Sequence, residues 1–443
     1  MENMNRRKFI VGTGAALAGV SATGKLLQGK GFHSAANADD SIRVGLIGCG
    51  GRGRGAVSDA VNASKYVKLV AMADLGMDRI KDASANLQKG IGDKFQVSPD
   101  AQFDGPEGYK KVCSHPDVDY IIHTTPPGLR HLTLREAVKN GKHSFVEKPV
   151  CVDPYTYQHV IESGQIADKT GLAIVSGTQY RRENSYKDAM EQLHNGLIGE
   201  LTAAYEYYCT GFLWTRGNAQ DWERWGGFES MEYQLRNWLY FTWLSGDHIA
   251  EQAIHNIDAV NWGFNSPPVS AYGSGGRIAR VDPRFGDIYD HFSIDYDYPN
   301  GARASFKCRQ ISGTTGRVMN RFIGTKGTLD IRPNPGRSAS VAKDNSGKII
   351  WRHNGRTGNN LPYVQEHKDL VDSIRDGQPI MEIQEVADSS MTAILGREAA
   401  YSGKELKFAD LQNSNYRLSP ESITQDKHPI RKVPVPGQYK AEY

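Results

Sequence analysis

The chain has 443 residues, a net charge of +3 and a hydrophobic fraction of 39%. This length exceeds what one hydrophobic core usually accommodates, so two domains are predicted. The 53 Lys and Arg residues nearly balance the 50 Asp and Glu residues, and no concentrated basic stripe is present, so nucleic acid is excluded as an expected partner. Five widely spaced cysteines without a C-x-x-C pair favour neither a disulfide framework nor a zinc site.

The first 38 residues have the pattern of an export signal. The sequence NRRK at 5–8 precedes a mildly apolar run over 11–20, and Ala-Asn-Ala at 36–38 is a small-x-small cleavage site. The apolar run is too short to span a bilayer, so no membrane span is expected. The pattern predicts a twin-arginine signal peptide over 1–38, a mature chain from Asp39 and a periplasmic location. A disordered basic leader is the alternative.

Beyond the signal, short apolar runs rich in β-branched residues alternate with amphipathic stretches. Strands are predicted over 42–47, 67–73, 119–124, 143–146 and 172–175, and helices from about 53, from 77, over 132–139 and over 155–167. Continuous apolar strands joined by helical crossovers are typical of a parallel sheet covered on both faces. The sequence therefore predicts an α/β fold that begins with a doubly wound, dinucleotide-binding Rossmann domain over 39–180.

After about Tyr180 the pattern changes to alternating polar and apolar residues. Runs over 201–208, 290–298, 302–309 and 327–331 predict an open, mainly antiparallel sheet, followed by helices over 363–375 and 383–401. These elements define a C-terminal α+β domain over 181–411, expected to serve substrate binding and oligomerisation. The tail over 412–443 is expected to be extended and is a candidate for wrapping a neighbouring subunit. An uncovered sheet face usually needs a partner, so a homo-oligomer is expected.

The hexamer GCGGRG at 48–53 fits G-x-G-x-x-G and lies between the first predicted strand and the first predicted helix. Gly48 permits a tight turn, Gly50 lets the backbone approach a pyrophosphate, and Gly53 lets the helix pack closely on the strand. Gly51 and Arg52 complete the loop at the helix N-terminus, where a phosphate is stabilised. The alternative is a purely structural glycine turn.

Asp74 ends the second predicted strand, 26 residues after Gly48. An acid at this place binds the ribose hydroxyls and repels a 2′-phosphate, so NAD is favoured over NADP. Thr125 and Pro126 follow another parallel strand, at the carboxyl edge where such sheets bind ligands. His131 opens the next helix, where it either touches the nicotinamide ribose or lies at a solvated helix start.

Glu147, Lys148 and Pro149 follow the strand over 143–146. Together with the glycine hexamer, Thr125-Pro126, the sequence GTQYR at 177–181 and the segment around His255, they make the chain resemble the Gfo/Idh/MocA oxidoreductases, the family of glucose–fructose oxidoreductase and inositol dehydrogenase. The resemblance implies that Lys148 reaches the substrate hydroxyl and the nicotinamide, and that Pro149 holds a cis bond. A lysine near a cationic nicotinamide has its charge disfavoured, which eases proton exchange.

A second group of candidate residues surrounds His255. In one continuous helix, Glu251, His255 and Asp258 would share a face, so that a carboxylate orients an imidazole that removes a hydroxyl proton. Members of the family commonly have Asp where Glu251 stands, and a helix cap or an interface stripe is the alternative. Asp247 and His248 with Glu251 keep a weak metal hypothesis open, but no metal is expected.

The predicted site is thus a set of named residues. The predicted catalytic residues are Lys148, His255, Glu251 and Tyr180. The residues expected to contact the dinucleotide are Gly48, Gly50, Gly51, Arg52, Gly53, Asp74, Thr125, Pro126, His131, Glu147 and Lys148. Five tryptophans suit stacking on a sugar ring, although core packing is more common and at most one or two are expected to touch substrate; they are Trp214, Trp222, Trp225, Trp238 and Trp243.

Three functions are compatible with these residues. The leading hypothesis is reversible oxidation of a hydroxyl of a sugar, glycoside or polyol, with a tightly held NAD because free NAD is scarce outside the cytoplasm. The second is a redox-neutral NAD-dependent glycosidase, in which transient oxidation at carbon 3 precedes elimination and Tyr180 or His255 is the base. The third is a sugar-binding protein without catalysis on the same fold.

Overall fold

The computed structural model describes residues 41–333, 340–353, 361–420, 423–424 and 426–440. The predicted signal peptide over 1–38 lies outside the described residues. Among the described helices, none is both long and apolar enough to cross a membrane.

The N-terminal domain is built on a six-stranded parallel sheet, as predicted. Its spatial order is β3-β2-β1-β4-β5-β6. The strands are β1 Ile42–Ile47, β2 Val67–Asp74, β3 Gln102–Asp104, β4 Tyr120–His123, β5 His143–Val146 and β6 Ile174–Ser176. The connecting helices are α1 Gly51–Ala63, α2 Met77–Ile91, α3 Gly108–Ser114, α4 Arg130–Lys139 and α5 Pro154–Thr170. The order in which strands are added reverses at β1: β2 and β3 lie on one side of it, and β4, β5 and β6 lie on the other. The carboxyl ends of β1 and β4 therefore frame the crevice where ligands bind in such sheets.

The C-terminal domain contains a nine-stranded sheet in the order β14-β13-β12-β11-β7-β10-β9-β8-β15. The strands are β7 Leu201–Thr210, β8 Ser270–Gly276, β9 His291–Asp297, β10 Arg303–Gln310, β11 Arg317–Gly324, β12 Gly327–Ile331, β13 Val341–Asp344, β14 Ile349–Arg352 and β15 Leu406–Lys407. Neighbours are antiparallel except β7 and β10, which run parallel. The prediction of a mainly antiparallel sheet is confirmed.

The helices of the second half are α6 Asn184–His194, α7 Ala219–Arg224, α8 Met231–Arg236, α9 Thr242–Ser245, α10 His248–Glu251, α11 Ile254–Phe264, α12 Pro362–Arg375, α13 Ile383–Ser402 and α14 Phe408–Gln412. Helices α11 and α13 cover one face of the nine-stranded sheet, and α13 also packs on α5 of the first domain. Because of the pleat, the buried Phe292, Ile294 and Tyr296 of β9 face these helices, while Ser293 and Asp295 point to the uncovered face.

Helix α12 returns to the N-terminal domain, although it lies within the range assigned from the sequence to the C-terminal domain. It packs on α1, and its apolar residues Leu370, Val371 and Ile374 belong to the core around the parallel sheet. Tyr363, at the start of α12, contacts Arg52 of the N-terminal domain: the Arg52 guanidinium lies 4.6 Å from the centre of the Tyr363 ring. The C-terminal half therefore supplies a layer of the dinucleotide-binding domain.

The described part of the tail beyond Gln412 contains neither helix nor strand, and it packs on α5 and α13. The backbone N–H of Leu418 donates to Asp153 Oδ2 at 2.7 Å. Near its end, the Tyr439 hydroxyl donates to Glu398 Oε2 at 3.0 Å. These two hydrogen bonds hold the tail against α5 and α13.

Candidate active site

A cavity of about 1180 Å³ lies between the two domains, at the carboxyl ends of the parallel strands. It gathers every residue predicted for catalysis and every residue predicted for dinucleotide binding except His131. The predicted residues that line it are Gly48, Gly50, Gly51, Arg52, Gly53, Asp74, Thr125, Pro126, Glu147, Lys148, Tyr180, Glu251 and His255. Residues more than 200 positions apart in the chain therefore share one space.

The glycine loop at 48–53 has the shape that a pyrophosphate requires. Gly48 has a φ of +97°, which L side chains rarely adopt. A Cβ atom on Gly53 would overlap the carbonyl oxygen of Gly48, whereas a Cβ on Gly50 or Gly51 would meet nothing within 4 Å. Helix α1 begins at Gly51, so its free N–H groups point into this open space. The loop thus fits the diphosphate of a dinucleotide.

Asp74 lies at the end of β2, where the ribose hydroxyls of a dinucleotide would be bound. Its Oδ2 accepts a hydrogen bond from the Cys49 N–H at 2.6 Å, which ties the acid to the glycine loop. Burial raises the pKa of Asp74, and the hydrogen bonds from backbone N–H groups oppose that shift. Backbone N–H groups therefore fix the position of the Asp74 carboxylate, which can then accept hydrogen bonds from ribose hydroxyls.

Arg52 does more than complete the glycine loop. Its guanidinium forms an ion pair with the buried Glu147, a second one with Asp59 at 3.1 Å, and lies 3.9 Å from Glu366 of α12. Burial alone would raise the pKa of Glu147, but the charges of Arg52, Arg130 and Lys148 hold it below its usual value. Glu147 is therefore an ionised carboxylate at the centre of a cationic cluster.

Lys148 follows directly and projects into the cavity. The Lys148–Pro149 peptide is cis, which confirms the expectation from the family resemblance. The Lys148 Nζ donates to the backbone carbonyl of Glu251 at 2.6 Å and lies 3.7 Å from Glu251 Oε1. The ammonium is thus held by the C-terminal domain while its backbone belongs to the N-terminal domain.

Arg130 is a site residue that sequence reasoning missed. It is buried, lines the cavity, and donates through Nη1 to the carbonyl of Pro149 at 2.5 Å, so it fixes the backbone that carries Lys148. Burial lowers the pKa of Arg130 to about 10. The sequence instead predicts that the adjacent His131 contacts the dinucleotide. Its ring packs against Tyr155 and His159 at 6.0 Å and does not line the cavity, so the structure contradicts its assignment to the dinucleotide.

His255 and Tyr180 lie together on the cavity wall, with ring centres 5.1 Å apart. Burial, followed by the charges of Lys148 and Arg52, lowers the pKa of His255 well below its ordinary value. Its Nδ1 has no hydrogen-bond partner among the described residues. Burial raises the pKa of Tyr180 well above its usual value. The pair consists of a neutral imidazole with a free nitrogen and a protonated phenol.

The continuous helix assumed for Glu251, His255 and Asp258 is wrong. Helix α10 ends at Glu251 and α11 begins at Ile254, so Glu251 and His255 reach the cavity from two helices. Asp258 does not join them, because it forms a bidentate pair with Arg181 at 2.8 and 2.9 Å. Its role is to hold the turn after β6 against α11.

The weak metal hypothesis finds no support in the described ranges, where no cluster of three or more His, Cys, Asp or Glu residues could hold an ion. His248 Nδ1 pairs with Asp247 Oδ1 at 2.9 Å, and its Nε2 faces Cys308 Sγ at 3.4 Å. All three side chains are buried away from the cavity. They form a polar connection inside the C-terminal domain.

Three of the five tryptophans line the cavity: Trp214, Trp225 and Trp238. Trp243 is buried, and its indole N–H donates to Gln234 Oε1 at 2.7 Å. Tyr208 and Gln252 also line the cavity close to Glu251, although neither was singled out from the sequence. The sequence gives no reason to select Tyr208, because it lies in a strand with an ordinary alternating pattern.

The glycine loop, Asp74 and the interdomain cavity define a Rossmann-type dinucleotide-binding protein with a separate α+β domain. Residues 42–178 match the oxidoreductase family with an NAD-binding Rossmann fold, and residues 186–330 match the GFO/IDH/MocA C-terminal domain. The two matches follow one another and together span well over half of the chain. The chain belongs to the Gfo/Idh/MocA oxidoreductase family.

Solved structures of the family share the fold. The aldose-aldose oxidoreductase from Caulobacter crescentus superposes with a TM-score of 0.65 at 18% identity, covering 83% of this chain and 99% of that one. The scyllo-inositol dehydrogenase from Lactobacillus casei, with bound NAD(H) and scyllo-inositol, gives a TM-score of 0.61 at 20% identity and covers 83% of this chain and 99% of that one. At these identities the likeness concerns the fold alone.

Curated relatives match over shorter stretches. The 2,7-anhydro-N-acetylneuraminate hydratase of Escherichia coli is 25% identical over 224 residues, which are 48% of this chain and 54% of the hydratase. A glycosyl hydrolase family 109 protein of Streptomyces niveus is 26% identical over 176 residues, 39% of this chain and 34% of that protein. The match thus spans about half of the hydratase and a third of the glycosyl hydrolase.

Two glycine substitutions separate packing from ligand binding. Gly53→Ala is expected to destabilise the fold, because its Cβ would overlap the Gly48 carbonyl. Gly50→Ala is expected to leave the unfolding midpoint unchanged and to weaken dinucleotide binding by about tenfold or more, because its methyl group would occupy the open space above the loop. Thermal unfolding and NADH fluorescence titration measure the two effects. Equal NADH affinity of Gly50→Ala and wild type would contradict this assignment.

Proposed function

We propose that the chain is a nicotinamide-dependent oxidoreductase that transfers hydride from a carbinol carbon of a sugar, glycoside or polyol, and that NAD is its cofactor. One observation carries this proposal. Lys148, Glu251 and the neutral His255 lie together in one cavity, and the glycine loop lines the same cavity. Asp74 supports NAD, since a carboxylate at the end of β2 suits free ribose hydroxyls.

The chain's own residues divide the work of oxidising a hydroxyl. A bound nicotinamide supplies the hydride acceptor. The ammonium of Lys148, anchored on the Glu251 carbonyl, donates a hydrogen bond to the substrate oxygen and stabilises the negative charge that develops on it. His255 accepts the hydroxyl proton, because it lines the cavity and its imidazole is neutral. Glu147 and Arg130 hold the Lys148 segment in place.

The lining of the cavity supports a carbohydrate or polyol. Trp214, Trp225 and Trp238 offer flat apolar faces of the kind that stack on sugar rings. Tyr208 and Gln252 add a hydroxyl and an amide for hydrogen bonds to ring hydroxyls, and the two side chains lie 3.5 Å apart. The two neighbouring structures named for an aldose and for scyllo-inositol are consistent with this substrate class.

A redox-neutral glycosidase or lyase is the second candidate, favoured by the partial similarity to the glycosyl hydrolase family 109 protein and to the anhydro-sugar hydratase. In this reaction, oxidation of a hydroxyl acidifies the neighbouring C–H, and a base removes that proton before the leaving group departs. His255 is suited to be this base. Tyr180 is not, because burial raises its pKa and keeps the phenol protonated; it is suited to protonate a leaving group instead.

A panel of free sugars, polyols and aryl glycosides decides between the candidates. With NAD bound, we expect some members to change the nicotinamide absorbance without aglycone release. Lys148→Met is expected to slow that change about 100-fold or more while NADH still binds. Lys81→Met, on the exposed side of α2, is the control and should match wild type.

The panel has two other outcomes. Aglycone release with no net change in nicotinamide absorbance would establish the redox-neutral reaction. Absence of both signals across the panel, in protein that binds NADH, would contradict an enzymatic function and support a sugar-binding protein.

The pKa of His255 makes the stability of the fold depend on pH in a defined direction. The pKa of His255 in the folded chain lies well below the ordinary 6.5. Below pH 6.5 the unfolded chain therefore binds a proton on His255 that the folded chain does not bind. The associated stability is present above pH 6.5 and lost as the pH falls. Between pH 7.5 and 5.5, wild type should lose about 1.4 kcal/mol relative to His255→Asn. Denaturant midpoints at the two pH values measure it, and a constant difference would disprove the neutral imidazole.

We also propose that the protein is exported by the twin-arginine route, on the pattern NRRK, apolar run and Ala-Asn-Ala at 5–38. In a bacterium that has this route, the full chain is expected in the periplasmic fraction. Replacing both Arg6 and Arg7 with Lys should leave it in the cytoplasm. A periplasmic double variant, or cytoplasmic wild type, would count against export.

A further inference from the structure

The segment 213–239 of the C-terminal domain, here called the roof segment, lies over the side of the cavity marked by Asp74. It lines the cavity opposite the β2–α2 loop and the first turn of α2, which contribute Leu75, Gly76, Asp78 and Arg79. A direct ion pair joins the two walls: Arg236 Nη1 lies 3.0 Å from Asp78 Oδ2. A Cβ on Gly76 would lie 4.0 Å from Arg236 Nη2. The roof segment therefore closes the end of the cavity where the adenosine half of a dinucleotide belongs.

The roof segment is a packed unit. Its aromatic residues form a separate small core around the buried Tyr233, together with Tyr240 and Trp243, which follow the segment in the chain. Asn237 Oδ1 accepts a hydrogen bond from the Arg216 N–H at 2.7 Å, which folds the start of the segment onto its end. The position of Arg216 is thus set by the roof segment's own hydrogen bonds.

The tail braces this unit from outside. The Met231 N–H donates to the Asp426 carbonyl at 2.9 Å, and Gln234 Nε2 donates to the His428 carbonyl at 2.5 Å. Ile423, Asp426 and Lys427 continue the same wall of the cavity. Two stretches that are distant in sequence therefore build one cover.

Arg216 is the residue of this cover that is best placed to bind an anion in the cavity. It lines the cavity with its guanidinium 4.5 Å from the Trp214 ring centre, and it has no carboxylate partner among the described residues. Arg79, on the facing wall, is also without an ion pair in the described ranges. Their neighbours differ: Arg54 pairs with Asp82 at 2.6 Å, and Arg236 pairs with Asp78.

Burial, followed by the charges of Arg79 and Arg54, lowers the pKa of Arg216. Arg216 is exposed and Arg79 is half-buried, so water can solvate both charges, and an anion bound between them would reduce their mutual repulsion. A phosphate group satisfies planar guanidinium donors well, since it accepts paired hydrogen bonds. The adenosine half of a nicotinamide dinucleotide carries such a group in its diphosphate and, in NADP, a second one at the 2′ position.

We propose that the roof segment is the second half of the dinucleotide site: Arg216, with Arg79, binds a phosphate of the adenosine half, and the Arg236–Asp78 ion pair holds the cover shut. The inference rests on the proposed function in that it takes a nicotinamide dinucleotide as ligand. It goes further by assigning cofactor retention to residues of the C-terminal domain. The dinucleotide leaves only when the ion pair between the domains opens.

Dissociation of NADH and of NADPH from the full chain tests this assignment. The reduced nucleotide quenches tryptophan fluorescence, so its release after addition of excess oxidised nucleotide can be followed in time without any substrate. Arg236→Gln is expected to speed release about tenfold. Asp78→Asn removes the same ion pair through its partner in the N-terminal domain and should give the same increase in the release rate. Arg321→Gln breaks an ion pair with Asp330 on the distant sheet and should leave the rate unchanged.

Arg216→Gln identifies the phosphate. If it weakens NADPH binding about tenfold and spares NADH, the 2′-phosphate is the partner; if it weakens both alike, the diphosphate is. The inference is overturned if Arg216→Gln binds both nucleotides as wild type does, or if Arg236→Gln and Asp78→Asn release them at the wild-type rate. Failure of wild type to bind either nucleotide would instead refute the proposed function, and this inference with it.

Discussion

Arg52 and Glu147 meet at the carboxyl edge of the parallel sheet, and their ion pair joins the two halves of the site. Arg52 belongs to the helix that follows the glycine loop, and Glu147 precedes Lys148, so the phosphate cradle and the ammonium are set by one contact. A buried carboxylate that loses its cation costs about 3–5 kcal/mol, which holds this geometry firmly. Glu366 of α12 completes the cluster, and burial raises its pKa well above the usual value.

The cations around this pair also control the imidazole. Lys148 and Arg52 lie close enough to His255 to disfavour a second positive charge, and the buried surroundings act in the same direction. A neutral base beside a fixed ammonium can take a proton while the ammonium stabilises the oxygen left behind. Both proposed reactions, plain oxidation and oxidation followed by elimination, need this same arrangement. They differ in the substrate placed on it.

Local patterns predicted what depends on local chemistry. The glycine spacing, the acid at the end of β2 and the apolar strands identified the parallel sheet and most of the dinucleotide wall. The choice of His131 failed because one residue along a helix turns the side chain by about 100°: Arg130 faces the cavity and His131 faces α5. The continuous helix through Glu251 failed because tertiary contacts end it there, leaving a terminal carbonyl that Lys148 takes. The roof segment and the path of the tail depend on pairings between residues more than 150 positions apart, which no local pattern contains.

Because residues of the tail line the cavity, the cavity can be completed only after the tail has been synthesised. Ile423, Asp426 and Lys427 leave the ribosome more than 200 residues after the last strand of the parallel sheet, yet they form part of the cavity wall. A nascent chain can complete the parallel strands long before these residues exist, and its glycine loop then faces solvent on the adenosine side. A complete cavity wall therefore requires synthesis at least as far as Lys427, and a product terminated before that residue would carry a recognisable Rossmann sheet with an open site.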